Sequence, residues 1–172
     1  MSDPTSRLFA FETALGWIGI LHRNEIVQQL KFGFSSPDEL YTCFSEDHFK
    51  VLSPSPFEVR LQRELQQYAS GTEVDFEHVD LFVETMTDFQ ESVTRACRLI
   101  AYGTTLSYGQ VATMAGSPGA ARAVGSVMSK NPFPLLVPCH RVTGSTKLGG
   151  FSAAEGTAMK RRLLELEGAL MF

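Results

Sequence analysis

The residues best placed to do chemistry in this chain are Pro138-Cys139-His140-Arg141. A cysteine becomes a strong nucleophile only as thiolate, and a neighbouring base or positive charge lowers its pKa. Adjacent residues on a strand point to opposite faces, so Cys139 and His140 can cooperate only where the chain turns, or through a bridging water. The plain alternative is a buried cysteine after the apolar run Leu135-Leu136-Val137, beside a surface histidine. Cys43, Cys97 and Cys139 are odd in number and scattered, which argues against a disulfide framework and for a reducing compartment. With His22, His48 and His78 they make no C-x-x-C or H-x-x-x-H spacing, so no metal is expected.

The elements around this group read as helices. Phe89, Val93, Ala96, Cys97 and Ile100 recur at helical spacing over 89–102, which makes Cys97 a core residue. Ser107 and Gln110 form a capping-box pattern at the start of a helix that stops at Gly116. Ser117 then reads as the cap of a second helix, with Pro118 in its first turn, running from Gly119 to Met128 and ending before Asn131-Pro132. Two short helices across a tight turn predict a helix-turn-helix. Gly119, Ala120, Ala121, Ala123, Gly125 and Ser126 are too small to read base edges in a wide major groove, but they allow close backbone approach. Arg122 is the one long side chain, and tight helix-helix packing with Arg122 on the surface explains the pattern equally well.

The first half reads as a scaffold. Arg7–Thr13, Gly16–His22 and Glu25–Phe32 are short apolar runs separated by turn residues, an antiparallel meander. Pro37–Phe44, capped by Ser36, and Pro56–Tyr68 read as helices, the second with Phe57, Leu61, Leu65 and Tyr68 on one face. The acidic stretch 72–88 reads as an extended link, so the expected division is 1–85 and 86–172. Residues 1–88 carry 6 Lys+Arg against 15 Asp+Glu, and residues 89–172 carry 9 against 4. A net of −9 beside a net of +5 suggests that only the second half meets a polyanion, although mutual attraction of the halves also fits. The start Met1-Ser-Asp-Pro-Thr-Ser6 has no positive n-region or apolar h-region, and no run is long enough to span a membrane. A cytoplasmic protein is expected.

Several of these motifs occur in one order: Tyr102-Gly-Thr-Thr-Leu-Ser-Tyr-Gly-Gln-Val-Ala112, Ala120-Ala-Arg-Ala-Val-Gly125, and Asn131-Pro-Phe-Pro-Leu-Leu-Val-Pro-Cys-His-Arg-Val142. Gly149-Gly-Phe-Ser152 and Lys160–Gly168 complete the series. Residues 86–168 resemble the O6-alkylguanine-DNA alkyltransferases closely, while the first half resembles that family's N-terminal domain only in length and strand pattern. The resemblance implies an α+β protein: an antiparallel-sheet, ribonuclease H-like domain followed by a helical domain with a helix-turn-helix.

It also implies roles. Cys139 would take the alkyl group from a guanine flipped out of the duplex. His140 would act on the thiol through a water, and Glu167 would hold the imidazole; without the resemblance Glu165 is an equal candidate. Tyr108 would help protonate the leaving guanine, and Asn131 would tie the turn to the backbone near the cysteine. Arg122 would enter the base stack, with Ala120, Ala121, Gly125 and Ser126 against the minor groove. Pro134, Val142, Phe151 and Ser152 would line the purine pocket. Phe151 stands where some members have tyrosine, and Ser152-Ala-Ala-Glu-Gly-Thr157 replaces a shorter Ser-Gly-Gly run, so the pocket rim is expected to differ.

The implied reaction uses each molecule once and needs no cofactor or membrane. The implied partner is double-stranded DNA bearing O6-alkylguanine, with O4-alkylthymine an open alternative, bound by a monomer that is nucleoid-associated if bacterial. A non-catalytic, alkyltransferase-like lesion-binding protein is the alternative, and Cys139 argues against it. A transcription regulator would need longer side chains on its recognition helix, and a cysteine hydrolase would need an oxyanion site.

Overall fold

The structure, a computed structural model, describes residues 6–45, 49–50 and 53–169. Most of the stretch read for a leader, and His48, lie outside the described residues. The chain forms two compact units, Met1–Phe82 and Val83–Phe172, whereas the sequence division lay at 85/86. Among the described residues, no helix is long and apolar enough to cross a membrane.

The first unit is a sheet with helices on its two faces. Strands β1 (Arg7–Thr13), β2 (Gly16–Arg23) and β3 (Ile26–Phe34) pair antiparallel. A short β4 (Phe49–Lys50) adds to β1 in parallel, giving the order β3-β2-β1-β4. The second turn is Asn24-Glu25, both with positive φ (50° and 66°), the backbone of a two-residue hairpin turn. Glu25 therefore belongs to the turn, and β3 starts one residue later than its sequence suggested.

Alternation along β1 and β2 sorts side chains between the faces. Leu8 and Leu21 pack with Leu40 and Phe44 on the side of helix α1 (Pro37–Tyr41). Gly19 is needed there, because a Cβ would lie 2.9 Å from the Phe44 ring and 3.0 Å from Leu40. Helix α1 is shorter than its sequence pattern, since the chain leaves the helix at Thr42. Phe9, Ile18, Ile20 and His22 share the opposite parity, where helix α2 (Pro56–Ala69) buries Leu61, Leu65 and Tyr68. Each such buried leucine stabilises by roughly 1.5–3 kcal/mol. Much of the acidic stretch is not a free link: Phe76 and Val79 are buried, Phe76 packs edge-on against Tyr68, and Leu81 bridges to Val27.

The second unit contains α3 (Asp88–Arg98), α4 (Tyr108–Met114), α5 (Ala121–Ser129) and α6 (Thr157–Leu166). Helices α3 and α4 open with full capping boxes, Thr87 with Gln90 and Ser107 with Gln110. Helix α3 ends at Arg98 rather than near 102, and Leu99 is its C-cap. Helix α5 starts at Ala121, not Gly119, and no side chain caps it. Gly119 has φ +89°, which a right-handed helix cannot contain, so Ser117–Ala120 forms a turn instead. Apolar faces meet inside the unit: Val93, Ala96 and Cys97 from α3, Val111 and Ala112 from α4, Val124 and Met128 from α5, and Met159, Leu163 and Leu164 from α6.

The second unit is not wholly helical. Leu106-Ser107 (β5) and Val142-Thr143 (β6) form a two-stranded parallel pair, Leu106 opposite Val142 and Ser107 opposite Thr143. This pairing seats the N-terminus of α4, and with it Tyr108, beside the segment that follows Cys139. Two-residue strands carry no periodicity, so sequence pattern could not reveal them.

Candidate active site

The backbone before the cysteine is tightly wound. Leu135 has φ +73°, a left-handed conformation that costs a branched apolar residue of order 1 kcal/mol and persists only where its surroundings fix it. Leu135, Leu136 and Val137 are buried, and Val137 N–H donates to Phe133 O at 2.8 Å. Pro138 (φ −77°, ψ 64°) then centres an inverse γ-turn, closed by Cys139 N–H to Val137 O at 2.7 Å. Cys139–Arg141 form a single 3-10 turn. Cys139 and His140 thus sit on a turn, not on opposite faces of a strand.

Asn131 holds this turn from three sides. Its Nδ2 donates to Val137 O at 3.0 Å and to Cys139 Sγ at 3.1 Å, while its Oδ1 accepts from Phe133 N–H at 2.9 Å. Cys139 is only 3% exposed. Burial pushes its thiol up from the ordinary value, against the Asn131 hydrogen bond and the nearby Lys160 charge. At neutral pH the group is therefore mainly a thiol, and it needs a base to become a nucleophile.

His140 is fully buried, and its Nε2 lies 2.7 Å from Glu167 Oε1. Glu167 is the C-cap of α6, which aims its side chain back at the turn. Gly103 N–H and two nitrogens of Arg141 also donate to this carboxylate, Nε at 2.9 Å and Nη2 at 3.0 Å. Burial would raise the Glu167 carboxyl, but hydrogen bonds and charge from His140 and Arg141 outweigh it and hold the group at about 2. An ionised carboxylate only accepts, so Nε2 must carry the His140 proton and Nδ1 is the accepting nitrogen. Burial lowers the His140 pKa, and Arg141 and Lys160 add to the effect despite Glu167.

Tyr108 opens α4 close to this group. Gly149 presses on it: a Cβ there would lie 2.5 Å from the Tyr108 hydroxyl, and φ +77° also favours glycine. A Cβ on Gly125 would reach the other side of the ring at 3.8 Å, ordinary contact distance. The small-residue helix α5 therefore lies directly beside Tyr108. Burial raises the tyrosine pKa, helped by Cys139, so the hydroxyl stays protonated and can donate.

Sequence comparison matches residues 88–169 to the family described as 6-O-methylguanine DNA methyltransferase, DNA binding domain. A methylated-DNA–protein-cysteine methyltransferase from Metallosphaera sedula is 39% identical over 113 residues, covering 66% of this chain and 69% of that one. The chain belongs to the methylated-DNA–protein-cysteine methyltransferase family. A protein of that name from Mycobacterium tuberculosis is 47% identical over 105 residues, 60% of this chain; the match covers 61% of the relative, less than two thirds of its length. The fold is similar throughout to the crystal structure of Mycobacterium tuberculosis OGT in complex with DNA, with 32% identity, a TM-score of 0.77, and 95% of this chain and 93% of that chain covered. The O6-methylguanine-DNA methyltransferase of Pyrococcus kodakaraensis is also similar, at 25% identity and a TM-score of 0.72, covering 95% of this chain and 99% of that one.

In this family member, hydrogen bonds join Asn131 to Cys139, and His140 to Glu167. Glu165, the other candidate, is exposed on α6. Val142 is fully buried in β6, Pro134 and Phe151 are half-buried, and Ser152 is exposed. On α5, Arg122 and Ser126 are exposed and Ala121 and Gly125 half-buried; Ala120, its N-cap, is half-buried.

Two residues had no assigned role in the sequence reading. Arg141 is buried, with Nη1 donating to Ile100 O at 2.6 Å and its guanidinium 5.7 Å from the Tyr102 ring centroid. Lys160 is fully buried, with Nζ donating to Val142 O at 2.6 Å and Gly150 O at 3.3 Å, and 5.8 Å from the Tyr108 ring centroid. It pins the segments before and after the loop 144–149. Burial lowers its pKa to about 8, opposed by the two cysteines Cys139 and Cys97. The signal for Lys160 was present: it stands three and four residues before Leu163 and Leu164, on the buried stripe of α6.

Proposed function

We propose that this protein repairs DNA by moving an alkyl group, in the simplest case methyl, from O6 of guanine onto Cys139. The observation that carries the reading is the convergence on one sulfur. Asn131 Nδ2 donates to Cys139 Sγ at 3.1 Å, and the adjacent imidazole is clamped on Glu167 at 2.7 Å with Nδ1 as its acceptor.

In the proposed reaction His140 Nδ1 takes the thiol proton through a bridging water, while Asn131 stabilises the forming thiolate. The sulfur attacks the alkyl carbon, an S–C bond forms, and the C–O6 bond breaks. The electron pair leaves with the guanine, which the Tyr108 hydroxyl protonates; the tyrosine recovers a proton from solvent, and His140 releases to solvent the one it took from the thiol. The product thioether has no ionisable sulfur, so each molecule acts once and needs no cofactor. No oxyanion site is required, because the electrophile is a saturated carbon.

The substrate lies inside a duplex stack and must be extruded to reach a sulfur this buried. Helices α4 and α5 with their tight turn are read as a helix-turn-helix, and α5 as the element laid in the minor groove. Ala120, Ala121, Gly125 and Ser126 would allow the close approach, and exposed Arg122 would fill the vacated stack. Pro134, Val142, Phe151 and Ser152 would border the extruded purine. The first unit, read as a ribonuclease H-like scaffold, would carry no chemistry. The partner is double-stranded DNA bearing O6-alkylguanine, bound by a monomer in the cytoplasm.

Intact-protein mass spectrometry after incubation with O6-methylguanine duplex tests this reading. One methyl adduct, mapped to the peptide containing Cys139 and absent from Cys139→Ala, is expected. No adduct, or an adduct on Cys43 or Cys97, overturns it.

A further inference from the structure

The carboxylate that holds His140 is not devoted to it. Arg141 grips Glu167 with two nitrogens, at 2.9 and 3.0 Å, and the third terminal nitrogen is fixed on Ile100 O at 2.6 Å. The fork is buried, and its guanidinium is covered by the Tyr102 ring. Resting on the alkyl-transfer reading above, we propose that Arg141 is a positioning residue that neutralises Glu167 and so keeps His140 an uncharged imidazole, protonated on Nε2 and accepting on Nδ1.

The argument is one of charge balance in a buried site. Glu167 and Arg141 together are neutral, so a neutral His140 leaves the cluster without net charge. A protonated His140 would add an uncompensated cation in low dielectric, facing Arg141 and, from α6, Lys160. Of the groups facing the imidazole, Glu167 alone favours the cation, and the guanidinium has already claimed both of its oxygens. In a triad whose carboxylate is unpaired, that carboxylate stabilises the imidazolium and the histidine can hold a full charge during the reaction. Here the paired carboxylate orients the ring but supports its cation weakly. At rest, therefore, Nδ1 keeps the free lone pair that must take the thiol proton.

Removing the guanidinium reverses the balance. Glu167 would be left as a buried anion, and a proton taken up by His140 would neutralise it. The charged imidazole has no accepting nitrogen, so the thiol loses its base until the pH is raised.

Imidazole-15N NMR of the full chain reads the state of His140 without any substrate. In the wild type the ring is expected as the neutral Nε2–H tautomer at neutral pH and still mainly so at the ordinary histidine pKa, where a free imidazole would be half protonated. In Arg141→Met the imidazolium is expected at about pH 7, with methyl transfer about tenfold slower or worse at about pH 6 and the deficit closing at higher pH. Arg141→Lys keeps the charge without the fork and is expected to return the ring toward neutrality. A wild-type imidazolium at about pH 7 overturns the proposal, and this needs no variant to fold. So does a folded Arg141→Met whose His140 stays neutral and whose pH profile is unmoved. If the wild type shows the neutral tautomer yet moves no methyl group, the proposed function fails and this inference stands.

Discussion

Asn131 and Cys139 are eight residues apart and joined through a side-chain hydrogen bond, Nδ2 to Sγ at 3.1 Å. The same amide also holds Val137 O and Phe133 N–H, so one residue shapes the turn and polarises the sulfur. A hydrogen bond to a charged group contributes about 1.5–3 kcal/mol, which corresponds to about ten- to a hundredfold in rate if it strengthens as the thiolate forms. Asn131→Ala should therefore slow methyl transfer by that range and raise the pH at which Cys139 reacts. It should also lower thermal stability, because Val137 O and Phe133 N–H lose partners. A folded variant with unchanged transfer would mean that the contact with sulfur is incidental.

The proposed nucleophile is not the most accessible of the three cysteines. Cys43 is exposed, while Cys97 and Cys139 are buried. Burial holds the Cys97 thiol well above its ordinary value, with the Cys139 charge acting in the same direction. A bulky disulfide reagent should titrate Cys43 rapidly in the native protein and the other two only after denaturation. Modified duplex should still deliver its methyl group to Cys139. If Cys139 reacted with the reagent as fast as Cys43, the buried setting described for its sulfur would be wrong.

Gly149 and Tyr108 form a pair that can be tested by a double-mutant cycle. Alanine at 149 would carry φ +77° and a Cβ 2.5 Å from the tyrosine oxygen. Gly149→Ala should displace the ring and reduce methyl transfer by about tenfold or more, since misplacing a reacting group by about 1 Å can cost a hundredfold. Tyr108→Phe removes the nearest atom, although the ring carbons at 3.1 and 3.2 Å remain. The added cost of the alanine should be smaller in that background. Additive losses would show that the contact with the hydroxyl is not what the alanine disturbs.

Much of this site was legible in the sequence because it is local. Cys139, His140 and Asn131 lie within one short segment rich in proline and apolar residues, whose turn chemistry can be read residue by residue. The capping box at Ser107 is likewise written in a four-residue pattern. What was not legible is long-range. Arg141 reaches Ile100, Gly103 reaches Glu167, and Lys160 reaches Val142, and each pairing depends on tertiary closure. Glu165 and Glu167 also looked equivalent until the end of α6 turned one inward. Helix α5 started late because the left-handed Gly119 overrode a sensible Ser-Pro start signal.

Arg122 is exposed in the first turn of α5, so removing its side chain should leave the fold intact. On the proposed role, Arg122→Ala should slow methyl transfer from duplex DNA by about tenfold or more, because the vacated stack would lose its filler, and unstacking costs a few kcal/mol. Transfer from a free O6-alkylated guanine base should change little. Equal losses on both substrates would remove Arg122 from any role in extruding the base.

Acid should unfold the protein in stages, and the sign follows from three buried groups. The folded pKa of His140 lies below its ordinary 6.5, so the unfolded chain binds protons first and stability falls as pH drops below that value. Glu167 is moved from 4.5 to about 2, so its contribution is complete above about 4.5 and is lost as pH falls toward 2. In the first unit Glu58 is also lowered: burial raises it, but Arg7 at 3.0 Å, His22 at 2.8 Å and Ser55 N–H at 2.6 Å outweigh that. A shift the size of that at Glu167 corresponds to on the order of 3 kcal/mol, a large share of a typical domain's stability. The melting temperature should therefore decline gently from about pH 6.5 and steeply below about pH 4.5. A melting temperature that stayed level down to about pH 3 would show that neither carboxylate is held as its contacts require.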